Sequence, residues 1–157
     1  MFNNKYLILG VLMIALCGGS ISTVHGQKAS SKTATRFLAY LNHYRSQQLA
    51  PMLADNFRLR RTYSNLSQDK AAFLDQYVPQ SKAYNGKFEV LDRREHADTT
   101  VFFVEDHSDY LKRQGINSPR WYLKVILNAE GLVESMIIDT AAGYSQYQQA
   151  LRENSKL

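Results

Sequence analysis

The spacing of apolar and polar positions predicts a helical first half and a β-rich second half. Within residues 36–48, apolar side chains recur at the three- and four-residue spacing of an amphipathic helix, at Phe37, Leu38, Leu41 and Tyr44. A short second helix is predicted at residues 51–54, because Pro51 suits a first helical turn. A third helix follows a cap at Ser67 and ends at Pro79.

Five runs of the chain have the composition of β-strands. The first, residues 57–63, alternates: one side carries Phe57, Leu59 and Arg61, and the other carries Arg58 and Arg60. The other four runs are residues 88–95, 99–110, 120–127 and 132–139. Their short connections require successive strands to be antiparallel. The order of these elements, with helices first and a meander of strands afterwards, predicts an α+β fold.

Two short stretches carry a resemblance to a known superfamily. Leu53-Ala54-Asp55-Asn56-Phe57 is similar to the helix-to-strand junction of nuclear transport factor 2-like (NTF2-like) proteins. Glu130-Gly131-Leu132-Val133-Glu134-Ser135-Met136 is similar to their last hairpin and strand. The superfamily includes SnoaL-like and ketosteroid isomerase-like proteins. The resemblance implies a cystatin-like cone at residues 35–142, in which three N-terminal helices pack on a curved antiparallel sheet around one pocket.

The isomerase positions implied by this resemblance are occupied by residues unsuited to that chemistry. The general base would fall near the end of the first strand, where the chain has Arg60 and Arg61, and the acidic oxyanion donor near Leu123. A guanidinium cannot accept a proton at neutral pH, and leucine cannot donate a hydrogen bond. The resemblance therefore implies a pocket without the known acid–base pair.

The N-terminal segment has the three zones of a secretory signal peptide. Lys5 supplies the positive charge, residues 6–16 are apolar and residues 22–26 are small and polar. We expect cleavage after Gly26 and an exported protein, periplasmic or secreted. A membrane anchor is the alternative, although the apolar run is shorter than the about 20 residues that span a bilayer.

Composition also predicts the ends of the mature chain. Residues 27–34 are small and polar, which favours a disordered lead-in to the domain. Residues 143–157 are expected to form a C-terminal polar tail, with a helix as one option.

The single cysteine leaves a second possibility for targeting. Ile14-Ala15-Leu16-Cys17 resembles a bacterial lipoprotein box, although Leu16 replaces the small residue expected there. Lipidation of Cys17 would make the chain a membrane-anchored envelope protein. If Cys17 is instead an ordinary residue of the signal, the mature chain has no cysteine, which excludes disulfides and thiolate catalysis.

The distribution of charge and the spacing of the histidines restrict the kinds of partner and ligand that the sequence predicts. The formal net charge is +5, and Lys and Arg are spread along the chain without a basic block, so no nucleic-acid partner is predicted. The histidines have no HxH or HxxxH spacing, so the sequence predicts no metal site. No cofactor motif is present, and a small-molecule ligand is expected.

Candidate ligand-binding residues come from the strand faces. Arg58 and Arg60 share a face and could converge on a carboxylate or phosphate. Tyr122 and Lys124 share a face of a later strand, where Tyr122 could donate a hydrogen bond to a ligand. The alternative for both pairs is an exposed polar face opposite an apolar core face.

The candidate acid–base residues are His107, Asp139 and Asp55. Strand geometry puts residues i and i+1 on opposite faces, so His107 pairs with Glu105 and not with Asp106. The leading hypothesis is a non-catalytic domain that binds a small molecule or a partner, as a homodimer through the outer sheet face. The alternatives are a hydrolase, dehydratase or isomerase that uses these residues, and a structural lipoprotein.

Overall fold

A computed structural model describes residues 22–140 of the chain, with side chains described from Ser31 to Asp139. The helices are α1 Ser22–Asn42, α2 Ser46–Leu49, α3 Lys70–Ala72, α4 Val78–Ala83 and α5 Asp109–Arg113. A 3-10 turn, Ala50–Met52, follows α2, and a π-helical turn, Phe73–Tyr77, joins α3 to α4. The strands are β1 Leu53–Arg61, β2 Ser67–Asp69, β3 Lys87–His96, β4 Thr99–His107, β5 Arg120–Leu127 and β6 Val133–Thr140.

The strands form one curved, six-stranded sheet in the order β2-β1-β6-β5-β4-β3. Strands β3 to β6 are the predicted antiparallel meander. The prediction of a wholly antiparallel sheet is wrong, because β1 pairs parallel with β6 and antiparallel with the short β2. A parallel pair needs a long connection, and here β2 and the first three strands of the meander lie between β1 and β6 in the chain.

The helices also differ from the three N-terminal helices that were predicted. The predicted second helix is replaced by the four-residue α2 and the 3-10 turn, and a further short helix, α5, follows β4. The third predicted helix does not end at Pro79. The π-helical turn interrupts the hydrogen-bond ladder just before it, so Pro79 falls in the first turn of α4, where its missing N–H is tolerated.

Helix α1 is longer than the hydrophobic pattern predicted. It runs through residues 27–34, where a disordered lead-in was expected. Two contacts hold this part of the helix: Ala34 is fully buried in the core, and the Ser31 hydroxyl donates a hydrogen bond to Glu95 of β3. Cys17 and the predicted tail at residues 143–157 lie outside the described residues.

The end of α1 is set by backbone geometry and not by a glycine. Tyr44 has a left-handed φ of 56°. Its N–H donates to the carbonyl of Leu41, and the N–H of Arg45 donates to that of Tyr40, which is the Schellman arrangement. The turn directs the chain back toward the sheet.

The core lies between the helices and the inner face of the sheet. Phe73 of the π-helical turn contacts the rings of Phe37, Phe57 and Tyr77, with centroid distances of 6.1, 5.0 and 5.4 Å. These aromatic side chains join α1 and the π-helical turn to β1. Among the described helices, none has the length and apolar character needed to cross a membrane.

Candidate functional site

A cavity of about 250 Å³ lies between the helices and the inner face of the sheet. Aromatic side chains form much of its wall, among them Tyr63, Tyr77 and Trp121. Three charged residues, Arg61, Lys87 and Asp106, line the same space. The cavity therefore combines an aromatic wall with two cationic residues and one carboxyl group.

Strand alternation puts Arg61 and Asp106 into the cavity. On β1, Leu59 is fully buried and Arg61, two residues later, is on the same face. On β4, Val104 is fully buried and Asp106 follows on its face in the same way. On each strand the apolar stripe thus ends in one charged residue at the cavity. Trp121 of β5 lines the same cavity.

Asp106 is the carboxyl group of the cavity. Burial raises its pKa from 3.8 to about 6, while a hydrogen bond from Trp121 and the charges of Arg61 and His107 oppose this rise. The indole N–H is a donor only, so it binds the carboxylate through a lone pair on oxygen. Asp106 consequently changes its protonation state near pH 6.

Arg61 and Tyr77 form a pair on another wall of the cavity. The guanidinium carbon of Arg61 lies 5.7 Å from the centre of the Tyr77 ring, within cation–π range. Burial raises the pKa of Tyr77, and the nearby Asp106 raises it further. Tyr77 therefore keeps its hydroxyl proton, which makes it a hydrogen-bond donor at neutral pH.

A stacked pair of rings forms the flat part of the wall. Tyr63 and Trp121 have ring centroids 5.2 Å apart and an interplanar angle of 24°. Trp121 is 2% exposed, so its ring is held by the core on one side. Such a surface favours a planar ligand group over a branched one.

The structure places the predicted ligand-binding residues away from the cavity. Arg58 and Arg60 are exposed on the outer face of β1, and Tyr122 and Lys124 are on the outer face of β5. Tyr122 is 43% exposed and packs against Phe103, with ring centroids 5.3 Å apart. None of the four predicted residues is part of the described cavity lining.

The candidate acid–base residues also lie outside the cavity. Asp139 accepts hydrogen bonds from Thr62 Oγ1 at 2.7 Å and from Lys124 Nζ at 2.6 Å. Asp55 has a fully exposed side chain, 3.1 Å from Lys70 Nζ. Both carboxylates are held by cations that connect neighbouring elements.

His107 pairs with Glu105, as strand alternation predicted. His107 Nε2 lies 3.5 Å from Glu105 Oε1 and 3.1 Å from Oε2 of Glu89 on β3. This group is on the face of β4 opposite Asp106. The imidazole and the cavity carboxyl therefore do not form an acid–base couple.

The cavity residues that sequence reasoning missed are Arg61, Asp106 and Trp121, together with the two tyrosines of its wall. A signal for the first two was present, because each follows buried residues at every second position of a strand. In this structure both charged residues stand where the apolar stripe of their strand reaches the cavity. Nothing in the sequence indicated that the ends of β1 and β4 are close together.

Comparisons with known proteins show the fold. No protein family model matches the chain, and no curated protein matches its sequence. Solved structures that are similar include an NTF2-like protein of unknown function from Cytophaga hutchinsonii (12% identity, TM-score 0.54, 69% of this chain and 87% of that one). PrhC from Penicillium brasilianum gives 12% identity and a TM-score of 0.65 over 83% of this chain and 91% of its own.

A candidate ketosteroid isomerase from Kribbella flavida gives 15% identity and a TM-score of 0.54 over 72% of this chain and 78% of its own. The chain therefore has the NTF2-like, cystatin-like fold that its sequence implied. At these identities the likeness concerns the fold, and the chemistry must be argued from the cavity itself.

Proposed function

We propose that this domain binds a small molecule with one flat ring and one anionic or hydrogen-bond-accepting end. The volume of the cavity, about 250 Å³, is just below the range of about 300–1,000 Å³ for ligand pockets, which restricts the ligand to a small molecule. The stacked Tyr63 and Trp121 rings supply the flat wall. Arg61 would bind the polar end of the ligand.

The observation that carries this proposal is a buried hydrogen-bond donor of Arg61 that has no acceptor in the described part of the chain. Its Nε is buried and has no hydrogen-bond partner among the described residues. A buried donor without a partner costs about 1–3 kcal/mol, and more when it is charged. A ligand carboxylate or carbonyl beside Arg61 would supply the acceptor, and the guanidinium geometry favours a carboxylate.

The only tryptophan of the chain is Trp121, so tryptophan emission, excited selectively over that of the tyrosines, reports on this cavity. We would titrate the protein with benzoate, benzamide and benzylamine, which share a ring and differ in charge. We expect benzoate to change the emission at the lowest concentration and benzylamine at the highest. Arg61→Met should abolish the preference for benzoate, while Arg60→Met, on the outer face, should keep it. A preference that survives Arg61→Met would contradict the proposal.

A second candidate function is an enzyme that transfers a proton in the same cavity. The observation in its favour is the position of Asp106, a carboxyl group beside the ring wall where a ligand would lie. One structural neighbour is a candidate ketosteroid isomerase. Here Arg61 and the buried Leu123 occupy the positions that the isomerase resemblance assigned to acids, so any such chemistry would use Asp106 instead.

Deuterium exchange separates binding from catalysis. A proton-transferring enzyme should exchange the acidic C–H protons of a bound aryl ketone with D₂O, as followed by NMR. Asp106→Asn should abolish exchange and keep the fluorescence response to the ketone. Equal exchange in wild type and variant would exclude Asp106 as the base and leave the binding function.

We further propose export with cleavage after Gly26. N-terminal sequencing of the protein recovered from the medium or periplasm should begin at Gln27. Lipidation at Cys17 is the competing proposal, and incorporation of labelled palmitate that disappears in Cys17→Ser would establish it. A full-length N-terminus and no label would exclude both.

The outer sheet face is proposed as a homodimer surface. Leu91, at the bulge of β3, and Tyr122 of β5 are large apolar residues with exposed fractions of 42 and 43%. A second copy would cover them. Light scattering should give twice the chain mass for the wild type and the monomer mass for Tyr122→Glu. A monomeric wild type would refute the proposal.

A further inference from the structure

Three metal-ligating side chains meet on the outer face of the β3–β4 hairpin. His107 Nε2 lies 3.1 Å from Glu89 Oε2 and 3.5 Å from Glu105 Oε1. The three potential ligand atoms are all within 4.8 Å of one another. One imidazole nitrogen and two carboxylate oxygens therefore point to the same small volume.

The register of the sheet produces this convergence. Glu89 and Glu105 are direct cross-strand partners, and His107 is two residues beyond Glu105 on the same face of β4. The side chains are 65% exposed for Glu89, 20% for Glu105 and 36% for His107. The volume between them is accessible to an ion from solvent, while two of the three ligands are held in place by partial burial.

Ser118 and Arg120 contact the atoms of His107 and Glu105 that face away from the shared volume, and so orient these side chains. Ser118 Oγ lies 3.3 Å from His107 Nδ1, so the ring presents its other nitrogen, Nε2, to the carboxylates. Arg120 Nε donates to Glu105 Oε2 at 3.2 Å, which leaves Oε1 toward the shared volume. Hydrogen bonds to the non-ligating nitrogen and oxygen are the usual supports of histidine and carboxylate ligands.

We propose that Glu89, Glu105 and His107 bind a divalent transition-metal ion of the zinc class. Zinc lies about 2.0–2.2 Å from nitrogen and carboxylate ligands, so tetrahedral ligand atoms are about 3.4 Å apart. The two separations from His107 Nε2, 3.1 and 3.5 Å, fall on either side of this value. Three protein ligands leave a fourth position for water or another ligand. Linear histidine motifs could not reveal this site, because Glu89 comes from another strand.

The metal site is separate from the proposed ligand cavity. His107 and Glu105 are on the face of β4 opposite Asp106, and neither lines the cavity. The two proposals can therefore fail independently, since Trp121 fluorescence reports on the cavity and metal content reports on the hairpin.

The test is a Zn²⁺ titration of the untagged, chelator-treated full chain by calorimetry, with bound metal counted by mass spectrometry. We expect one Zn²⁺ per chain. Glu89→Gln, Glu105→Gln and His107→Gln should each lose this binding, and Ser118→Ala should weaken it about 10-fold. His96→Gln, at the other end of β3, is the matched control and should bind as the wild type does.

Cobalt provides a spectroscopic readout of the ligands and geometry of the site. Co²⁺ in a four-coordinate nitrogen and oxygen site should give a visible absorption band that is lost in His107→Gln and kept in His96→Gln. Circular dichroism of each variant verifies that it is folded. Zn²⁺ binding that persists in His107→Gln, or no binding by the folded wild type, would overturn the proposal and leave an ordinary histidine–carboxylate ion pair.

Discussion

The guanidinium of Arg61 lies over the ring of Tyr77, 5.7 Å from its centre, at the point where β1 leaves the core for the cavity. Arg60, one residue earlier, is exposed on the other face of the strand. Two adjacent arginines of identical chemistry are thus assigned different environments by strand alternation alone. Each experiment on Arg61 therefore has a control, Arg60, that differs by one position.

Arg61 should depress the pKa of Asp106, because its positive charge favours the carboxylate. Protonation of Asp106 should change the emission of Trp121, which donates to it, with a midpoint near pH 6. Arg61→Met should move this midpoint upward, and Arg60→Met should leave it in place. A pH titration of fluorescence measures all three proteins, and an unchanged midpoint in Arg61→Met would show that the two side chains do not interact.

The stability of the fold should depend on pH through Asp106. Its pKa is about 6 in the folded chain and ordinarily 3.8, so between these values the folded state binds more protons than the unfolded state. The free energy of unfolding attributable to this group therefore falls as pH rises from 3.8 to about 6, and is constant above that.

Asp106→Asn should remove this dependence. Since one pKa unit corresponds to about 1.4 kcal/mol and cavity water screens part of the effect, we expect the variant to be more stable than wild type by about 1–2 kcal/mol at neutral pH. Near pH 3.8 the two should converge. Urea unfolding in a chelator-containing buffer measures the difference. A difference that does not vary with pH would mean that another group is responsible.

Gly115 should be required for its backbone conformation and not for space. It ends α5 with a φ of 71°, its N–H donates to Lys112, and the N–H of Ile116 donates to Leu111. A Cβ at Gly115 would meet no atom within 4 Å. Gly115→Ala should therefore lower the free energy of unfolding by about 1 kcal/mol through backbone strain, and Gly115→Asn by less. Equal stability of Ala and Asn variants in urea unfolding would contradict this.

The sequence predicted those elements whose alternation of buried and exposed residues is regular along the chain. The bounds of β5, Arg120–Leu127, coincide with the predicted strand, because alternation of buried and exposed residues is uninterrupted there. Helix α5 was missed because five residues are too few to show a helical period. Its signal was instead the cap, Ser108 Oγ, which accepts a hydrogen bond from the N–H of Leu111 at 3.1 Å.

The candidate site was less predictable because it depends on pairing between distant strands. Adjacent histidine and aspartate directed attention to His107, while the apolar stripe of β4 leads to Asp106. Which residues of β1 approach Asp106 follows from the sheet order, with β5 and β6 between the two strands. Sequence spacing does not contain that order. The same limit applies to Glu89, whose partner Glu105 is determined by hairpin register.

Asp139 should have a structural role and not a catalytic one. It joins Lys124 of β5 to Thr62 after β1 through bonds of 2.6 and 2.7 Å, on the sheet face opposite the cavity. Asp139→Asn removes the charge and keeps an acceptor oxygen, so we expect a loss of about 1 kcal/mol, as for other partly exposed pairs. Lys124→Met should cost a similar amount, and the double variant should cost less than the sum, which urea unfolding can measure as a coupling energy. The Trp121 response to benzoate should be unchanged in both single variants. A variant that unfolds normally but loses that response would place Asp139 in the ligand site after all.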